Sequence, residues 1–164
     1  MLYFRVDFMN KIKTIVIIAM CSFSCSALTE NQSSVPIPVA SENDLIYCFS
    51  LYKIAASAID YKAQGKTKAE MLARLPLRSV IEASPGLNGK KLVALSMHDI
   101  ISDIYDHETL PMSVYAPYAS EKCYRRGTNK TNVEYAKVRP KLLACSKLAE
   151  SKHVECAIKS ANGR

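Results

Sequence analysis

The stretch "HDIISDIYDHE", residues 98–108, holds the densest set of groups able to do chemistry. Asp99, Asp103, Asp106 and His107 recur at i, i+4, i+7 and i+8. On a helix that spacing places them along one face, opposite Ile101 and Ile104. Three carboxylates and an imidazole on adjacent turns suit a divalent cation, which needs several oxygens or nitrogens fixed from one direction. Asp99, Asp103 and His107 are therefore the candidate metal ligands. The competing reading is the solvent face of an amphipathic helix. His98 falls on another flank. Further ligands from a second helix would be required, and none stands out in the sequence.

A second feature is aromatic. Tyr47, Tyr52, Tyr61, Tyr105, Tyr115, Tyr118, Tyr124 and Tyr135 are spread along the chain, and Arg125 and Arg126 follow Tyr124. Tyrosine and arginine carry binding energy well, so Tyr115, Tyr118, Tyr124, Arg125 and Arg126 form a candidate recognition surface. Core and boundary tyrosines with their hydroxyls at the surface are the alternative. Other chemistry has no carrier. The sequence contains no GxSxG elbow, HExxH, GxGxxG or P-loop. No catalytic residue and no cofactor is assigned.

Cysteine usage depends on the N-terminus. Lys11 and Lys13 precede an apolar run from Ile15 to Phe23, and small residues Ser24–Ala27 follow. That order is the order of a secretory signal, and the run is well short of the roughly 20 residues a spanning helix needs. Residues 1–27 are read as a signal peptide cut before Leu28, with residues 1–8 an upstream extension from a mis-called start at Met1 rather than Met9. Lipidation at Cys25 and an uncleaved anchor are the alternatives. Cys48, Cys123, Cys145 and Cys156 then remain, an even number in an oxidising compartment, which argues for two disulfides. Three connectivities are possible. Cys48–Cys123 with Cys145–Cys156 is preferred, since it ties the first helix to a late one and closes a short C-terminal hairpin. Zinc is disfavoured because no CxxC spacing occurs.

The elements that would position these groups are helical. Residues 28–41 form a polar lead with Pro36 and Pro38. Ser41 caps a helix over 42–64, whose apolar face is Leu45, Cys48, Phe49, Tyr52, Ala55, Ala56, Ile59 and Ala63, with Gly65 closing it. Thr67 and Glu70 make a capping box for a second helix, stopped before Pro76. Pro85-Gly86 and Asn88-Gly89 mark turns before a third helix over 90–107. A fourth is expected from Pro117 to Gly127. From Val133 the chain reads as helix broken or kinked near Pro140, then continuing through "KLLACSKLAE" and "HVECAIK". The fold class is all-α, a small disulfide-stapled helical bundle over 42–164 after the signal segment.

Charge is uneven. Residues 121–164 hold 11 of the 22 lysines and arginines and 4 of the 15 acidic residues. In an exported chain that points to an acidic protein or an anionic envelope surface before nucleic acid. Membrane attachment is expected only if Cys25 is lipidated or the signal is uncleaved.

The layout resembles a loose group of small exported helical proteins of Gram-negative bacteria. The resemblance is carried by "YCFSLYKIAASAIDYKAQGKTKAEML", "IISDIYD" and "YAPYASEKC", over about residues 45–125. By size, compartment and class alone it extends to the periplasmic type VI immunity proteins that neutralise secreted cell-wall amidases. A small rigid bundle with two staples, tyrosines and a basic end suits recognition better than turnover, so the first reading is a non-catalytic exported protein that binds another macromolecule, of inhibitor, immunity or accessory type. The alternatives are a metal-dependent enzyme or metal-binding protein using the Asp/His face, and a structural envelope protein or lipoprotein.

Overall fold

The computed structural model describes residues 39–163, so the expected signal segment, its cleavage before Leu28, Cys25 and most of the expected lead lie outside the described residues. Among the described residues every regular element is helical. In chain order these are α1 (Glu42–Leu45), a 3-10 segment (Ile46–Ser50), α2 (Leu51–Ala63), α3 (Lys68–Leu72) and α4 (Arg78–Ala83). There follow α5 (Gly89–Asp106), α6 (Met112–Gly127), α7 (Tyr135–Cys145), a 3-10 turn (Glu150–Lys152) and α8 (His153–Ala161).

Local chemistry sets most boundaries. The Ser41 hydroxyl accepts from the Asp44 N–H at 3.2 Å and opens α1. Thr67 and Glu70 cap each other's backbone at the start of α3, and Asn88 caps α5 through the Lys91 N–H. Gly65, at φ +80°, ends the α2 region.

Three expectations need correction. The single helix over 42–64 is interrupted: the 3-10 segment carries Cys48 to its bridge and changes the phase of the apolar stripe. α4 (Arg78–Ala83) is an additional helix between the second and third that the sequence pattern marks. It is short and places only Ile81 inside, so its sequence holds no full period to read. α6 starts at Met112, not Pro117, and Pro117 sits inside it. A proline reads as a helix start because it removes one N–H donor. Here the packing of α6 compensates for that one missing bond. Pro140 likewise lies inside α7.

The core gathers on α5 and α6. Leu51, Leu92, Ile100, Val114, Tyr115, Tyr118 and Leu142 are almost fully buried. Tyr115, Tyr118 and Tyr135 form a three-ring cluster with centroids 5.5–6.0 Å apart. Gly127 ends α6 where the chain enters the bundle. Its carbonyl accepts from the Ala40 N–H at 2.9 Å, and a Cβ there would collide with Leu45. Ala40, within the expected lead, is thereby pinned and buried.

Two cysteine pairs are bridged, Cys48–Cys123 with Cα atoms 5.5 Å apart and Cys145–Cys156 with Cα atoms 5.6 Å apart. The first spans a sequence separation of 75 residues and the second a separation of 11. In the chain-entropy view, replacing Cys48 and Cys123 by serine is expected to cost about 4.5 kcal/mol, and replacing Cys145 and Cys156 about 3 kcal/mol. Urea unfolding of the two double variants checks both the ordering and the size.

Candidate functional site

The acidic stretch lies on α5, but not as a ligand face. Asp99 receives Arg78 Nη1 at 2.7 Å, Arg126 Nη2 at 2.6 Å and Lys122 Nζ at 3.3 Å. Asp103 is buried, 3.5 Å from the same Lys122 Nζ, and its Oδ2 accepts from the Tyr115 hydroxyl at 3.2 Å. Asp106 pairs with Lys68 at the surface. The His107 ring packs on Tyr135 at 5.1 Å. The structure thus brings Asp99 and Asp103 together around a lysine and leaves His107 apart. Among the described residues no group of three or more His, Cys, Asp or Glu side chains could hold a metal ion. The reason is that α5 is central. Ile100, Ile101, Asp103 and Ile104 are all buried, so its acidic side packs on α6 instead of facing solvent. His98 is also buried, with Nε2 at 2.9 Å from the Pro76 carbonyl.

Burial works on the two carboxylates with opposite net results. It opposes charge on Asp99, but Lys122 and Arg126 outweigh it and hold this carboxyl down at about 2. Burial dominates at Asp103, where the neighbouring Asp99 charge adds to it and Lys122 only partly offsets it, so this carboxyl is pushed up to about 6. A carboxyl titrating there is a candidate proton donor in general. Geometry argues otherwise in this case: the space bounded by Ser96, Asp99, Asp103, Tyr115 and Lys122 is about 10 Å³. That is room for one water at most, not for a substrate.

The tyrosine and arginine surface is corrected in the same way. Because α6 starts five residues early, Tyr115 and Tyr118 fall on its inner face with Cys123, and both are 1% exposed. Arg126 is engaged by Asp99. Arg125 braces the turn after α6 through the Thr131 carbonyl and the Asn162 side chain. Tyr124 alone of the five remains at the surface as a large apolar group.

Tyr124 leads to a different site. It lines an open groove of about 440 Å³ with Phe49 and Tyr52 on one wall and Val154 and Ile158 on the other. Ala116, Pro117 and Ser120 of α6 line it too. These are small side chains on a central helix between two bulkier ridges, which is why a depression exists there. Phe49 is 72% exposed, Tyr52 55% and Val154 52%. Glu121 supplies the acidic group. Sequence periodicity assigned Phe49 and Tyr52 to the core face. The bridge at Cys48 and the 3-10 phase change instead turn Cys48, Leu51, Ala55 and Ala58 inward and leave the two aromatics outside. The legible signal was an apolar stripe wider than a helix of small core residues needs to bury.

No family model, curated protein or solved structure matches the chain. No helix among the described residues is long and apolar enough to cross a membrane. The two bridges are consistent with a non-cytoplasmic protein.

The Asp99–Asp103 pair has an expected pH signature. Asp103 holds its proton more tightly folded than unfolded, so its contribution to stability is present below about pH 4 and lost as pH rises through about 6. Asp99 does the reverse, and its contribution is lost as pH falls from about 4 through about 2. Urea titrations at pH 4.5 and 7 should show the protein losing about 2 kcal/mol on that rise, with Asp103→Asn removing most of the difference. An unchanged slope in the variant would assign the effect to other groups.

Proposed function

We propose that this is a non-catalytic, exported binding protein whose working surface is the groove between the Phe49–Tyr52 ridge, α6 and α8. Its occupant is an amphipathic helix of a partner protein in the bacterial envelope. The observation that supports this reading is the clustering of Phe49, Tyr52, Tyr124, Val154 and Ile158, all exposed, around one concavity. Scattered surface apolar residues are ordinary, whereas a contiguous patch bordering a groove marks a binding site. Helix-in-groove recognition uses an apolar trough with partner side chains at i, i+3/i+4 and i+7.

The bridges support the same reading. Cys48 adjoins Phe49, Cys123 adjoins Tyr124, and Cys156 lies between Val154 and Ile158. Every wall of the groove therefore stands beside a covalent joint. Holding a surface in its bound shape lowers the ordering cost of association. Inhibitor, immunity and accessory roles in the envelope all need such a rigid recognition surface, and the proposal covers that class. Its compartment is the periplasm or the medium, reached through residues 1–27. A structural envelope role without a discrete surface would leave the clustering without a purpose.

Phe49→Asp combined with Ile158→Asp is expected to weaken partner capture from envelope extract by about 30-fold or more, the scale of a lost central anchor. Val80→Asp on the exposed side of α4 should leave capture unchanged. Retention of the partner by the groove variant, with an unaltered melting curve, would refute the reading. Sedimentation that shows a concentration-dependent dimer abolished by the same variant would assign the groove to a second copy instead.

Intact mass of protein taken from the envelope tests the compartment. A chain beginning at Leu28 that gains two hydrogens per bridge on reduction is the expected result. A lipid-sized addition at Cys25 would place the protein on a membrane.

A further inference from the structure

The opposite flank of α8 carries a second groove, of about 470 Å³, running against α7. Lys141 of α7, Lys152 of the 3-10 turn and Lys159 of α8 border it, and Ala144 and Leu148 supply apolar surface. Leu148 is 48% exposed. The one acidic side chain lining it, Glu155, is paired with Lys159 at 2.6 Å. Lysines therefore outnumber carboxylates three to one around an apolar floor. The Cys145–Cys156 bridge fixes the two helices that form the sides.

We infer that this groove docks the protein on an anionic phospholipid surface, with headgroup phosphates against Lys141, Lys152 and Lys159 and Leu148 among the upper acyl carbons. Two features favour a lipid over other anions. An ammonium rim suits a phosphate monoanion, which needs point charges more than bidentate geometry. An exposed leucine inside that rim gains nothing from a free phosphate or a polynucleotide, but gains burial at the acyl boundary. The charge complementarity is local: it comes from three positions brought together by α7, the turn and α8, not from the basic end of the sequence as a whole. This inference stands independently of the apolar groove on the other flank.

Flotation with phosphatidylcholine vesicles, with and without phosphatidylglycerol, tests it on the full chain with both bridges formed. Binding is expected to need phosphatidylglycerol and to weaken as salt is raised. Lys152→Glu with Lys159→Glu should reduce it about tenfold or more, since each lysine near an anionic surface contributes measurably. Leu148→Asp should reduce it as well. Two controls should bind as the parent does: Lys137→Glu, which lies outside the groove, and Phe49→Asp, which alters only the other flank. Equal binding to both vesicle types would overturn the inference, as would undiminished binding of the Lys152/Lys159 variant or an equal loss in Lys137→Glu. Capture of an acidic protein with no vesicle binding would also overturn it.

Discussion

The bond between Cys48 and Cys123 is the constraint on which the remaining geometry rests. It joins a 3-10 segment near the start of the described chain to the last third of α6. Cys48 must face α6, so its neighbours are assigned by default: Leu51, Ala55 and Ala58 turn inward, and Phe49 and Tyr52 turn out. Cys123 must face the same bond, which sets the rotation of α6. That rotation buries Tyr115, Tyr118 and Ala119 and directs Tyr124, Ser120 and Pro117 to the opposite side. One covalent link thus decides both the aromatic core and the aromatic surface.

The polar interior follows from the same rotation. With Tyr115 inside, Lys122 and Arg126 are brought onto α5, and the carboxylates they meet are Asp99 and Asp103. Three cations around Asp99 keep it charged at low pH. Asp103, with a shared lysine and one hydroxyl, is compensated less well and keeps its proton far longer. Removing one partner of such a buried set costs more than the set contributes, because the other charge is left without compensation. Each member of the network is therefore a point at which one substitution loosens the contact between α5 and α6.

Local signals in the sequence were reliable where chemistry acts over a few residues. Ser41, Asn88-Gly89, Gly65 and the Thr67–Glu70 pair all mark element ends that the structure keeps. The preferred cysteine pairing also matches, since two bridges of such different span leave little choice for a hairpin at the end of a bundle. What could not be read was tertiary. Helical spacing put Asp99 and Asp103 on a common face but could not show that the face meets Lys122 and Arg126 rather than a cation from solution. Pro117 looked like a helix start because an interior proline is normally excluded. A helix taken to start at Pro117 leaves Tyr115 outside it and does not show that Tyr115 and Tyr118 share the inner face with Cys123. The groove itself was invisible because it is a deficit, small side chains on α6 between larger ones on its neighbours, and a deficit has no motif.

α8 is the wall common to both depressions. It is nine residues long and gives Val154 and Ile158 to one flank, Glu155 and Lys159 to the other. The Ser113 hydroxyl and the Leu148 carbonyl hold the His153 ring at its N-terminal end, at 2.7 and 3.0 Å. Because Cys156 on α8 is bonded to Cys145 on α7, the helix keeps its place against α7 whatever lies along its other side. The two flanks of this nine-residue helix are therefore free to vary in sequence separately, each changing its own depression and leaving the other's backbone where it is.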